Sequence, residues 1–128
     1  MSPPRESFDV FIARAMRSSD PVACLRERRD DPTLDADEGT RLRAIDEDGF
    51  RIAALIVAKL RFERLLQGSA PAARGFALDA RTFADVFRDY HQQVPMTSPM
   101  PWDEGRRFDE WVREQQRTEP QRGQTPSC

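Results

Sequence analysis

The stretch that decides the fold runs from Asp35 to Gln67 and reads DADEGTRLRAIDEDGFRIAALIVAKLRFERLLQ. Its apolar side chains recur at steps of three and four residues, the spacing of one α-helix face, at Leu42, Ile45, Ile52, Leu55, Ile56, Leu60 and Leu66. Residues 52–57 could also form a buried strand, but Ala53, Ala54 and Ala58 favour a helix. A glycine inside a helix costs about 1 kcal/mol relative to alanine. We therefore expect the long helix to kink at Gly49, or to divide into two helices near Asp48.

Shorter helices are expected on both sides of this stretch. Apolar residues at helical spacing, with capping residues and prolines at the ends, place them at about 7–17, 21–28, 80–93 and 102–116. No segment alternates apolar and polar residues for long enough to indicate a sheet. The sequence therefore predicts an all-α fold, a compact bundle of about five helices with one long central helix.

The length and the polar ends of the chain set the expected domain limits. A chain of 128 residues has the usual size of one domain. Residues 1–6 and 118–128 are polar and contain prolines, so we predict disordered ends around one helical domain at 7–117. The first residues lack the basic start and apolar run of a signal peptide. No stretch reaches the length of about 20 apolar residues that crosses a bilayer. These features predict a cytoplasmic protein.

The charge balance weighs against nucleic acid as a partner. Lys and Arg together number 20, Asp and Glu number 22, and the formal net charge is -2. A chain with this balance lacks the positive field that attracts phosphate backbones. The composition therefore disfavours a nucleic-acid-binding function.

Few residues could carry catalysis or hold a metal. His91 is the single histidine, and its position beside Tyr90 at a helix end predicts a carbonyl cap or a surface residue. The acidic residues lack the order of a calcium-binding loop and are expected to form a solvated helix face, at Asp35, Asp37, Glu38, Asp46, Glu47 and Asp48. Cys24 is expected to be a small core residue without a fold-holding disulfide to Cys128. We predict that the chain is not an enzyme, with no catalytic residue, metal site or cofactor of its own.

One short segment has the composition of a contact site. Residues 94–102 read VPMTSPMPW, and the candidate contact residues are Pro95, Met96, Pro99, Met100 and Trp102. Methionine and tryptophan offer an adaptable apolar surface of the kind found at protein interfaces. The alternative is that these side chains fold back as a lid over the helices.

The order of several short motifs resembles that of a known family. The motifs are RLRAI at 41–45, RFERLLQG at 61–68 and FADVFRDYH at 83–91, followed by Val94-Pro95 and Ser98-Pro99. This order is similar to the helical domain of partner proteins that assist multinuclear non-heme iron oxidative enzymes in ribosomal peptide natural-product biosynthesis. The resemblance covers about Phe8 to Val112.

The resemblance implies a role without catalysis. A protein of this family binds a barrel-type non-heme iron enzyme as a heterodimer and helps to recognise or present its precursor peptide. The iron is then expected in the partner enzyme. Two alternatives from other classes are a helical DNA-binding or regulatory module, and a small enzyme built around His91 and the acidic residues.

Overall fold

The computed structural model describes residues 6–118, and residues 1–5 and 119–128 lie outside that range. The predicted disorder at the two ends therefore falls almost entirely outside the described residues. Between residues 6 and 118 the chain forms helices and no strand, which confirms the predicted all-α class. The helices are α1 (Phe8–Arg17), α2 (Pro21–Arg29), α3 (Ala36–Arg43), α4 (Glu47–Gly68), α5 (Ala70–Leu78), α6 (Ala80–Gln93) and α7 (Pro101–Arg117). The predicted count of about five helices is therefore wrong.

One additional helix arises because the long stretch divides into α3 and α4. The division lies at residues 44–46, just before the glycine at which a kink is predicted. The Gly49 amide donates a 2.7 Å hydrogen bond to Asp46 Oδ2, and the Phe50 amide donates to the Asp46 carbonyl at 2.9 Å. Asp46 thus satisfies amides that have no partner inside the first turn of a helix. Gly49 belongs to that first turn.

The second additional helix is α5, where the sequence predicts only a connection. Ser69 caps it, because Ser69 Oγ accepts a 3.1 Å hydrogen bond from the Ala72 amide. Pro71 lies in the first turn, where its missing amide hydrogen costs nothing. The serine and proline that suggest a break therefore start a helix.

The described residues form two compact units whose boundary lies inside α4, between Val57 and Ala58. We call residues 6–57 the N-terminal unit and residues 58–118 the C-terminal unit. The buried core of the N-terminal unit consists of Phe11, Ala15, Cys24, Leu25, Leu42 and Phe50. That of the C-terminal unit consists of Leu65, Ala72, Phe83, Phe87, Tyr90 and Phe108. The single domain at 7–117 stays a prediction.

Several acidic residues of the N-terminal unit have structural partners. Asp35 caps α3, because its Oδ1 accepts a 2.8 Å hydrogen bond from the Glu38 amide. Glu38 is itself 8% exposed and forms a 2.6 Å ion pair with Arg28. Glu47 pairs with Arg29 at 2.8 Å. The predicted solvated face is therefore wrong for Glu38, which neutralises a half-buried arginine.

Cys24 lies in the core of the N-terminal unit, at 3% exposed, as predicted. Its Sγ atom is 3.2 Å from Ser18 Oγ. The structure has Cys24 disulfide-bonded, so the prediction of no disulfide is wrong at this residue. Cys128 lies outside the described residues.

The longest helix, α4, has large apolar side chains on two faces. Its buried face contains Phe50, Ala54, Arg61 and Leu65. Its exposed face contains Ile52, Leu55, Ile56 and Leu60, which are between 48% and 65% exposed. The apolar spacing that predicts a long helix therefore follows mostly the exposed face. Even so, neither α4 nor any other helix between residues 6 and 118 is long and apolar enough to cross a membrane.

Candidate functional site

All five predicted contact residues lie in the C-terminal unit, between the end of α6 and the first turn of α7. We call residues 94–102 the contact segment. Trp102 is 63% exposed and Met100 is 47% exposed. Pro95 and Pro99 are also exposed, while Met96 is half-buried. The alternative of a lid over the helices is therefore wrong for Trp102, which lies on the surface.

A single buried arginine holds both ends of the contact segment. Arg61 of α4 is fully buried and donates from Nη1 to the Val94 carbonyl at 2.6 Å. Its Nε and Nη2 atoms donate to the two carboxylate oxygens of Glu104, at 2.9 and 3.0 Å. Val94 begins the contact segment and Glu104 follows its end in α7. One guanidinium therefore fixes the distance between the two ends.

Tyr90 completes the partners of the buried carboxylate. Its hydroxyl donates to Glu104 Oε2, and the Arg61 guanidinium lies 4.5 Å from the centre of its ring. Burial raises the pKa of Tyr90, and the hydrogen bond to the Glu104 carboxylate raises that pKa further. The hydroxyl therefore keeps its proton at neutral pH and remains a donor. A buried carboxylate is tolerated when it is paired and hydrogen-bonded in this way.

His91 supports the same arginine from the next position of α6. It is 6% exposed, contrary to the predicted surface position. Its Nδ1 atom lies 3.2 Å from Arg61 Nη1. Because a guanidinium only donates, we assign Nδ1 as the acceptor of a neutral imidazole. The ring stacks on Phe87 with 5.4 Å between the ring centres. His91 thus helps to orient Arg61.

The end of the contact segment sits tightly against the end of α4. A Cβ atom added to Gly68 would overlap the Pro101 carbonyl, and one added to Gly105 would overlap the Gly68 carbonyl. Ser69 Oγ also donates to Asp109 Oδ1 of α7 at 2.8 Å. The two glycines therefore permit a backbone contact that fixes where α7 begins.

The chemistry of this site is suited to binding. It presents exposed apolar side chains on a proline-stiffened backbone, and the buried charges at its ends, Arg61 and Glu104, are paired with each other. Prolines lower the conformational entropy that a segment loses when it is ordered by a partner. Among residues 6–118, no three His, Cys, Asp or Glu residues are arranged to hold a metal ion. An apolar surface of another protein or peptide is the ligand that such a segment fits.

Sequence reasoning identified the exposed residues and missed the buried ones beneath them. Arg61 and Glu104 are 43 positions apart, so no local pattern links them. One signal was present, because helical steps from Phe50 through Ala54 lead to Arg61 and on to Leu65.

Comparison of the chain with protein-family models, curated proteins and solved structures finds no match.

Proposed function

We propose that this chain is a non-catalytic partner subunit of a multinuclear non-heme iron enzyme. It binds that enzyme and helps to recognise or present the precursor peptide in ribosomal peptide natural-product biosynthesis. The iron belongs to the partner, and the contact segment supplies part of the docking surface. The proposal rests on the motif order described above and on the character of the contact segment.

The observation that carries the proposal is the exposure of two large apolar side chains on a fixed base. Trp102 and Met100 are 63% and 47% exposed, while Arg61, which binds Val94 and Glu104 at the two ends of the segment, is fully buried. Tryptophan is enriched among the residues that dominate binding energy at protein interfaces. A base that is already ordered spares the complex part of the entropy cost of association. The segment therefore has the features of an anchor for a partner.

The test compares two variants, Trp102→Ala and Leu78→Ala, in their binding to the iron enzyme with its precursor peptide. Trp102→Ala should weaken binding by about 2 kcal/mol or more, roughly 30-fold in the dissociation constant. Because Trp102 is largely exposed, the melting temperature of the Trp102→Ala variant should stay close to that of the parent chain. Leu78→Ala is the matched control, since Leu78 is 86% exposed in the same unit but outside the contact segment.

Calorimetric titration and thermal melting on the same samples give separable outcomes. Equal affinities for both variants and the parent chain would remove the contact segment from the function. Failure of the parent chain to bind any such enzyme, together with a salt-dependent shift of duplex DNA, would favour the DNA-binding alternative.

A further inference from the structure

Arg64 of α4 is a half-buried cation without an acidic partner among the described residues. The described part of the C-terminal unit has three arginines that are buried or half-buried. Arg61 pairs with Glu104 at 2.9 Å, and Arg107 pairs with Asp103 at 3.6 Å. Arg64 is the third. Its state is unusual, because the burial of a charge is tolerated when that charge is paired.

The hydrogen-bonding groups of Arg64 are poorly satisfied. Its Nη2 atom contacts the Met96 sulfur at 3.8 Å, and a thioether is a weak acceptor. Its Nε atom is buried and has no hydrogen-bond partner in the described part of the chain. The Nη1 atom also lacks a hydrogen bond to any residue between 6 and 118, but it is not buried, so a ligand can reach it. Such a guanidinium can donate two parallel hydrogen bonds, from Nη1 and Nη2, to one carboxylate.

Arg64 lies beside the contact segment, between the two points at which α4 meets its ends. Near the start of the segment, Arg61 donates to the Val94 carbonyl at 2.6 Å. Near its end, Gly68 lies so close to the Pro101 carbonyl that a Cβ atom would not fit. The three α4 residues follow one another at steps of three and four, so they share one face of the helix. Arg64 thus places a positive charge next to the contact segment.

The composition of the contact segment indicates which ligand fits. Residues 94–102 contain no acidic and no basic residue, so the segment supplies no anion for Arg64. Nucleic acids are bound by several basic groups acting together, whereas one arginine stands here beside apolar side chains. A peptide that contains an aspartate or glutamate next to apolar residues offers both a carboxylate and an apolar surface. The combination therefore fits an acidic peptide segment.

We propose that Arg64 binds an aspartate or glutamate side chain of a peptide segment that docks on the contact segment. The carboxylate accepts hydrogen bonds from Nη1 and Nη2, and it replaces the Met96 sulfur at Nη2. Apolar neighbours of the acidic residue pack on Trp102 and Met100. The inference deepens the proposed function and rests on it, since it takes the contact segment as a docking surface. It adds the requirement that the docked segment contains an acidic residue.

The first experiment selects ligands from a library of random short peptides displayed on phage, with the full chain as the immobilised receptor. Peptides that bind the parent chain should be enriched in aspartate or glutamate next to apolar residues. Selection on an Arg64→Met variant should lose the enrichment in acidic residues, because methionine keeps an apolar stem and removes the donors. Arg74→Met is the matched control and should keep the enrichment, since Arg74 is an exposed arginine of the same unit.

A double-mutant cycle on one selected peptide then measures the contact itself. Replacing its acidic residue by the neutral amide should raise the dissociation constant for the parent chain about tenfold or more, as expected for a charge-assisted hydrogen-bonded pair. The same replacement should change binding to the Arg64→Met variant by less than about twofold, because the partner of the carboxylate is already absent. Circular dichroism checks that each variant is folded.

The outcomes separate this inference from the proposed function, because neither measurement uses the iron enzyme. A parent chain that selects no peptide, selected peptides without acidic residues, or an equal effect of the amide replacement on the parent chain and on Arg64→Met would overturn the inference. If the parent chain binds the iron enzyme through Trp102 and Arg64→Met binds it equally well, the inference fails while the proposed function stands. Acid-dependent peptide binding without any binding to the enzyme would support the Arg64 site and remove the proposed function.

Discussion

The two faces of α4 differ in a way that reverses the usual relation between polarity and burial. On one face Arg61 is fully buried, and on the other Leu55 is 65% exposed. Arg61 tolerates burial because its donors meet the Glu104 carboxylate and the Val94 carbonyl. An exposed apolar group has no such compensation within the chain and marks a surface for another molecule. Whether a side chain of α4 is buried therefore depends on the hydrogen-bond partners available to it as well as on its hydrophobicity.

The strongest way to break this comparison is to remove the buried charge pair. Arg61→Met leaves the Glu104 carboxylate buried without a cation, and Glu104→Leu leaves the Arg61 guanidinium without an anion. Each single change should lower the free energy of unfolding by about 3 to 5 kcal/mol. The double variant should lose less than the sum of the two, because it leaves no uncompensated charge. Urea unfolding of all three variants measures these values.

A surface ion pair of the same helix supplies the control for that experiment. Arg51 pairs with Asp48 at 2.8 Å while its side chain is 52% exposed. Arg51→Met should change the free energy of unfolding by no more than about 0.5 kcal/mol. Additive losses in the Arg61 and Glu104 double variant, or losses as small as that of Arg51→Met, would show that the buried pair does not act as a unit.

A smaller effect is expected when the same leucine-to-alanine change is made on each of the two faces of α4. Leu65 is fully buried, so Leu65→Ala should lower the free energy of unfolding by about 2 to 5 kcal/mol. Leu55→Ala should cost no more than about 0.5 kcal/mol, because Leu55 is 65% exposed. Thermal or urea unfolding at low protein concentration provides both values. Equal losses would mean that the two faces are covered alike within one copy of the chain.

Two helix starts could be predicted from sequence because an aspartate caps each of them. Asp20 before Pro21 starts α2, and Asp79 starts α6, as expected from their side chains. The start of α5 was missed because Ser69 and Pro71 have the composition of a turn as well as that of a helix start. The break before α4 was predicted at Gly49 because glycine disfavours a helix interior. The helix instead begins after Asp46, whose side chain accepts a hydrogen bond from the Gly49 amide.

The candidate site could be predicted only in its exposed part. Trp102 and Met100 stand out in a short proline-rich segment, and composition alone is enough to notice them. The base beneath them depends on Arg61 and Glu104, which meet only after three helices pack. Charged residues are rarely buried, so sequence reasoning assigns such a pair to the solvent.

We have proposed that the contact segment, held by Arg61, supplies part of the docking surface for an iron enzyme. Hydrogen–deuterium exchange of this chain, alone and in complex with that enzyme, tests it most directly. We expect slower exchange on complex formation in peptides that cover residues 94–104. Peptides around the exposed Leu78 should exchange at an unchanged rate. Complex formation that leaves exchange at 94–104 unaltered would contradict the claim.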